Sequence, residues 1–229
     1  MKVVILGGNA AGMSAASRMK RKAPDTEVIV LEKTETVSYG ACGMPYYIAD
    51  LNPDLNRMKI RPVEKFREQG IDVRLGHEVE KVDRERKTVS GHCGGETFEV
   101  SYDKLLVSTG SSPIMPPLPG IDLQGIYPLK TLEHAAALKP ALGPDKDIVI
   151  VGGGYIAVEL AGVFAGLGSE VTLLHRGDKL LRGFEQIARL GLPVPPGAQR
   201  GHDLLGRPLG QRRARGQHAG EAVHVVLQV

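Results

Sequence analysis

The 229-residue sequence has no tryptophan, few aromatic residues of any kind (4%) and only two cysteines. No apolar run approaches the roughly 20 residues that a membrane-crossing helix needs. The opening run, MKVVILGG, is too short for a secretory leader and leads straight into a turn. Two cysteines cannot build a disulfide framework, which points to a reducing compartment. A cytoplasmic protein without a membrane partner is expected. The net charge is only +3. Residues 186–229 hold six arginines, no lysine and two acids, a balance of +4 that leaves −1 for residues 1–185. The basicity belongs to the end of the chain and gives no ground for a nucleic-acid partner. His77, His92 and His134 form no constellation with the cysteines, so no metal site is expected.

What is present is a repeated α/β pattern. Lys2–Leu6 reads as a buried strand, GGNAAGMSAASRMKRKA as a tight turn opening a helix that ends before Pro24, and TEVIVLEK as a second strand. KIRPVEKFREQG reads as a helix stopped by Gly70, followed by the strand IDVRLG. Residues 79–107 alternate and carry turn signals around SGHCGG, predicting a small antiparallel insert that returns to the strand KLLVS. Four prolines in GSSPIMPPLPG mark a linker. The pattern then restarts with DIVIVGGGYIAVELAGVFAGLGSEVTLLHR, about 145 residues after its first appearance. The predicted fold class is α/β: two incomplete Rossmann-like units, each a parallel sheet, one with a small antiparallel insert, and an irregular tail. The expected divisions are 1–112, 113–185 and 186–229.

The tail has a different texture. Residues 186–229 lack lysine, serine, threonine and aromatics and are rich in Gly, Arg, Pro, Gln and His. No helical or strand period persists there until the last few residues. A natural disordered tail and out-of-frame translation of a GC-rich gene both account for it.

Each glycine turn has the form that binds a dinucleotide pyrophosphate at a helix N-terminus. In the first, Gly7 and Gly12 take the outer positions, with Gly8 and Ala10 between them and Asn9 replacing the middle glycine; Asn tolerates left-handed backbone better than most residues. Glu32 follows Gly12 by 20 residues, at the end of the second strand, where an acid binds ribose hydroxyls. In the second turn Gly152, Gly154 and Ala157 fill the three positions. No acid ends the following strand; His175 and Arg176 stand there instead, which suits a 2′-phosphate and so NADP(H) over NAD(H). Arg176 as a solvated residue, with both nucleotides accepted, is the alternative.

With these motifs, the single-cysteine segment SYGACGMPYYI, SYDKLLVSTGSSP and VGGGYIAVEL, the chain resembles the flavoprotein pyridine nucleotide–disulfide oxidoreductases. It is most similar to the coenzyme A disulfide reductase branch, which also holds NADH oxidases, NADH peroxidases and persulfide reductases. The resemblance covers residues 1–185. It implies FAD and NADP(H) or NAD(H) as cofactors, with Ser108, Thr109 and Gly110 beside the flavin nucleotide and Lys33 and Val79 on the same cofactor. Tyr155 is expected near the nicotinamide face of the flavin, with Ile156 beside it and Glu159 as the family's acid on the second turn's helix. Members carrying peroxide chemistry have a histidine where this chain has Ala10.

The resemblance makes Cys42 the catalytic thiol, cycling between thiolate and a mixed disulfide with coenzyme A, so that the substrate (a coenzyme A disulfide or persulfide) supplies the second sulfur. Pro45 favours a helix start just after Cys42, a setting that lowers thiol pKa. A buried structural thiol is the competing reading. Ser14, Arg18, Arg21 and Ser38 are expected on the coenzyme A side; a basic last helix turn complementing the dipole is the other account of the two arginines. Cys93 reads as an inert surface thiol. Full-length family members form homodimers and are about twice this length, so a non-catalytic fragment that at most binds nucleotide is a further expectation, as is an NADH oxidase.

Overall fold

The structure, a computed structural model, describes residues 1–175, 180–181 and, as backbone, 222–226. The chain divides into two compact units: Met1–Gly40 with Asp54–Ser111, and Ala41–Pro53 with Ser112–Val229.

In the first unit β1 (Lys2–Leu6), β2 (Glu27–Leu31), β3 (Ile71–Arg74) and β7 (Lys104–Val107) form a wholly parallel sheet in the order β3-β2-β1-β7. The runs VVIL and VIVL are apolar at every position because both faces of this sheet are covered. Strand alternation sends Val3, Ile5, Val28 and Val30 to one face, where they meet Met13 and Ala16 of helix α1 (Ala10–Lys22) and Phe66 of helix α3 (Val63–Arg67). Val4, Leu6, Ile29 and Leu31 face the other way and pack on Val89 and Val100. Those two come from a three-stranded antiparallel meander, β4 (Glu78–Asp83), β5 (Thr88–Cys93) and β6 (Glu96–Ser101). The insert read from the sequence is thus the third layer of this unit. Its β5–β6 hairpin turns on Gly94 and Gly95, both at positive φ, the backbone a two-residue turn requires.

Helix α1 is built of small residues on its packed face and closes with Lys20, Arg21 and Lys22 against its own dipole. The Lys20 ammonium donates to the carbonyls of Pro24 and Thr26, which satisfies the chain reversal into β2. Helix α3 is shorter than the sequence pattern suggested. Pro62 sits at its N-cap and biases Arg61 toward extended backbone, so residues 59–61 cannot join it.

In the second unit β8 (Ile126–Pro128), β9 (Asp147–Val151), β10 (Glu170–Leu174) and β11 (Ala222–Val226) form another parallel sheet, ordered β10-β9-β11-β8. Helix α5 (Tyr155–Gly166) joins β9 to β10 and buries Ala157, Leu160, Ala161 and Phe164. Strand β11 is the apolar end of the segment expected to be irregular; it adds a strand between β9 and β8. Helix α2 (Met44–Ile48) also belongs to this unit. Strand β8 and helix α4 (Leu132–Leu138) were not anticipated. Thr131 caps α4, its hydroxyl oxygen accepting the His134 N–H at 3.3 Å.

His134 Nδ1 is buried without a hydrogen-bond partner among the described residues. Burial pushes the His134 pKa below its ordinary 6.5, opposed in part by the Glu133 carboxylate. The folded state therefore favours the neutral ring. This stabilisation is complete above 6.5 and is lost as pH falls through the lower folded value, because the unfolded chain binds the proton first. Thermal unfolding followed against pH is expected to show a falling midpoint on acidification below 6.5, and His134→Gln is expected to flatten that slope.

Candidate functional site

Each sheet reverses its strand order at one place, beside β1 in the first unit and beside β9 in the second. In open α/β sheets ligands bind beyond the carboxyl ends of the strands at such a point. Both glycine turns lie there.

The two turns share one hydrogen-bond register. The Gly7 N–H donates to the Leu31 carbonyl (2.9 Å), and the Gly152 N–H donates to the Leu174 carbonyl (2.8 Å). The first N–H within each helix then closes in parallel, Met13 to Asn9 (2.9 Å) and Val158 to Gly154 (3.2 Å). The internal echo in the sequence is therefore a structural repeat at the level of single backbone bonds.

In the first turn Gly7 has φ +98°, and a side chain there would run into the Ser108 carbonyl. A side chain at Gly12 would overlap the Gly7 carbonyl. Helix α1 thus rests directly on the turn, as close approach of a pyrophosphate requires. Ala10 and Ala11 are exposed, and among the described residues no side chain caps the helix, so its first-turn N–H groups are left without a side-chain acceptor. Asn9 is not left-handed, with φ −99° and ψ −150°. Its Oδ1 instead accepts the Tyr39 N–H at 3.1 Å, so its amide ties the turn to the segment after β2.

Glu32 is 9% exposed. Its Oε2 accepts the Gly8 N–H at 2.7 Å, and its Oε1 accepts the Thr34 N–H and hydroxyl, each at 2.8 Å. Three of about four lone-pair positions on the carboxylate are filled, leaving one on Oε2 for a ribose hydroxyl. The residues present therefore fit the ribose-pyrophosphate half of a dinucleotide. Gly8, expected to bind cofactor, turns its N–H to Glu32 rather than outward. Ser108 likewise spends its hydroxyl donor on the Leu6 carbonyl (2.8 Å), with the Gly7 carbonyl at 3.3 Å. It fastens the turn to β7, while Thr109 and Gly110 after it are exposed. Lys33 is exposed beside Glu32, whereas Val79 is half-buried on the apolar cluster under the sheet.

In the second turn Gly154 and Tyr155 are exposed at the start of α5, with Ile156 half-buried and Glu159 exposed one turn on. His175 is exposed at the position equivalent to Glu32, and a side chain at Gly153 would meet its Cβ at 3.1 Å. Arg176 lies outside the described residues.

Cys42 is exposed, in a single 3-10 turn (Ala41–Gly43) directly before α2, which carries Pro45 in its first turn. A buried structural thiol is therefore not what the structure contains. Cys93 is half-buried at the end of β5 rather than on the surface. Ser14, Arg18 and Arg21 are all exposed at the i, i+4, i+7 spacing of one face of α1. Ser38 is half-buried at φ +52°, and its N–H is held by the Gly8 carbonyl at 3.0 Å.

Known proteins resemble this chain. A family model described as pyridine nucleotide-disulphide oxidoreductase matches residues 1–190. The chain belongs to that family. It is 40% identical over 182 residues to the CoA-dependent NAD(P)H sulfur oxidoreductase of Pyrococcus abyssi, covering 79% of this chain and 40% of that protein. It is 36% identical over 186 residues to an NADH oxidase of Enterococcus faecalis, covering 80% and 42%. The solved structure of an NAD-dependent persulfide reductase from A. fulgidus superposes with a TM-score of 0.74 at 36% identity, over 79% of this chain and 34% of that one. The chain spans about two-fifths of the length of the curated relatives it matches.

For this member of the pyridine nucleotide-disulphide oxidoreductases, the site residues invisible to sequence reasoning are those that hold others in place. Thr34 binds Glu32 through two donors. The T-E-T run after the strand was the available signal, because threonines there can fold back on a preceding carboxylate. Since both Glu32 oxygens accept from donors, Glu32→Gln must turn an NH₂ group against one of them. Urea unfolding is expected to show a loss of about 1–3 kcal/mol for Glu32→Gln, and about 0.5–1.5 kcal/mol for Thr34→Val, which removes only the hydroxyl bond.

Proposed function

We propose that the chain carries the FAD- and NAD(P)H-binding turns and the redox thiol of an oxidoreductase that reduces coenzyme A disulfide or a related persulfide. The observation that carries this reading is the pair of glycine turns built in one register, with a free, exposed Cys42 between them in the sequence. The Pyrococcus abyssi and A. fulgidus relatives, named for coenzyme A-dependent sulfur reduction and persulfide reduction, support the substrate class.

The chemistry asked of the chain is then defined. The first-turn N–H groups of α1 receive pyrophosphate, and Glu32 accepts a ribose hydroxyl through Oε2. Cys42, as thiolate, attacks one sulfur of the substrate disulfide. A bond forms between Cys42 and that sulfur, the substrate S–S bond breaks, and the second half leaves as coenzyme A thiolate. Restoring Cys42 takes two electrons from NAD(P)H, which break the Cys42 mixed disulfide and release the second coenzyme A half as thiolate; FAD would supply the relay when bound. At the second turn the absence of an acid where Glu32 stands in the first removes the group that would repel a 2′-phosphate, which supports NADPH acceptance.

The Enterococcus faecalis relative favours an alternative, an NADH oxidase. Ala10 counts against peroxide handling, since it offers no acid–base group in the first turn.

Purified protein incubated with FAD is expected to retain visible flavin absorption that bleaches with NADPH under anaerobic conditions. Cys42→Ser is expected to keep the flavin and its bleaching, while coenzyme A disulfide reduction falls by about a thousandfold or more. A colourless product that takes up no flavin, or equal disulfide reduction by both proteins, would sink the proposal. Oxygen consumption with NADH in excess of disulfide reduction would favour the oxidase.

A further inference from the structure

The segment that bears Cys42 is held at one point by a residue far along the chain. Lys139 directly follows α4, and its Nζ donates to the Tyr47 carbonyl at 2.8 Å, 92 residues earlier. The same nitrogen pairs with Asp50 Oδ1 at 2.6 Å and lies 4.2 Å from the centroid of the Tyr47 ring. The Lys139 side chain is 20% exposed and that of Asp50 65%. One ammonium thus meets a carbonyl of α2, a carboxylate just beyond the helix and an aromatic face, three partners suited to a cation at a helix C-terminus.

Four consecutive backbone donors depend on the same short stretch. The Ala49 N–H donates to Pro45 (2.9 Å), Asp50 to Tyr47 (3.3 Å), and Leu51 and Asn52 both to Tyr46 (3.0 and 3.1 Å). A helix of five residues is too short to hold such a turn without tertiary support. Met44, Pro45 and Ile48 are buried, and they supply the apolar part of that support. Asp50 has φ +59°, a conformation that Asp adopts more readily than most side chains and that brings its carboxylate within reach of Lys139.

We propose that Lys139 is a positioning residue for the Cys42 segment: its ammonium fixes the C-terminal end of α2 and so sets the placement of the thiol at the other end. The consequence for disulfide exchange rests on the reading of Cys42 as the redox thiol; the fixing of α2 does not.

The test is amide hydrogen exchange on the full chain, with Lys139→Met to keep the packing stem and remove the charge, and Lys139→Arg to restore a donor. Exchange at Ala49–Asn52 is expected to accelerate about tenfold or more in Lys139→Met, the range carried by hydrogen bonds to a charged group. Lys139→Arg is expected to return most of that protection, and the amides of β1 and β2 are expected to stay unchanged, which excludes global unfolding. Asp50→Asn is expected to give a smaller rise, since the Tyr47 carbonyl and ring remain and Asn tolerates positive φ. The rate at which coenzyme A disulfide forms a mixed disulfide with Cys42 is read on the same proteins and is expected to fall with Lys139→Met and recover with Lys139→Arg. Unchanged exchange at Ala49–Asn52 in Lys139→Met, or no recovery with Arg, would overturn the proposal. A wild-type protein that forms no mixed disulfide would overturn the redox reading, while the exchange data would still decide the role of Lys139.

Discussion

The Glu32 carboxylate receives the Gly8 N–H on one oxygen and both Thr34 donors on the other. Taking a carboxylate to 9% exposure costs several kcal/mol if it stays charged and unpaired. Here the donors come from the glycine turn itself and from the first residues after β2, so the group that orders the turn is also solvated by it. The steric terms agree with this bond. A side chain at Gly8 would press on Val37 Cγ1 at 2.6 Å and on Glu32 Cβ at 3.1 Å. Gly8 must be bare for Glu32 to reach beneath the turn, Gly12 must be bare for α1 to rest on Gly7, and Gly7 must be bare to pass Ser108. The end of β2, the turn, the start of α1 and the end of β7 therefore stand or shift together.

The second turn keeps the backbone half of this arrangement and replaces the electrostatic half. Its first glycine N–H goes to the last residue of the next strand, as in the first turn. Where Glu32 stands, there is His175, whose side chain lies against the Gly153 position and is exposed. The Gly153 carbonyl is met from another direction, by the Leu181 N–H at 2.7 Å. One backbone register thus supports two different strand ends: one with a carboxylate already bound to the turn, and one with an imidazole in the corresponding position. The repeat keeps its hydrogen-bond register while exchanging a single terminal side chain.

The two central strands of the first sheet were legible because VVIL and VIVL are apolar at every position, a pattern forced by burial on both faces. Both glycine turns were legible because a missing Cβ leaves a mark in the sequence. Strand β8 and helix α4 were not, since IYP and LEHAAAL are too short to establish a period. Asn9 was read for its tolerance of left-handed backbone, but the chain uses its amide as an acceptor for Tyr39, a choice fixed by a residue 30 positions away. Ser108 and Gly8 stand where a cofactor would be expected, yet their donors serve the turn. Sequence spacing locates such residues at a site; it does not say whether their polar atoms face the ligand or the scaffold. The strand at Ala222–Val226 falls in a stretch expected to be irregular, where a period was noted only in the last few residues.

The Cys42 segment poses a different physical problem, because an exposed thiol gains nothing from burial to fix its place. Its flanks are held by backbone pairing: Gly40 N–H to the Met58 carbonyl and Ile60 N–H to the Ser38 carbonyl, both 2.8 Å, around a bridge between Tyr39 and Lys59. Its far end is held by the Lys139 ammonium on Tyr47 and Asp50. Between these, Met44, Pro45 and Ile48 supply what burial there is. The segment closed by the Gly40–Met58 bond loses loop entropy cheaply, but closure alone does not orient a side chain within it. Orientation comes from the charge-assisted contacts at the tip; the Tyr47 carbonyl contact is sheltered with the Lys139 ammonium, whereas the pair with the exposed Asp50 carboxylate weakens with salt. The thiol therefore stays open to solvent while the helix that follows it is tied by polar contacts at its C-terminal end.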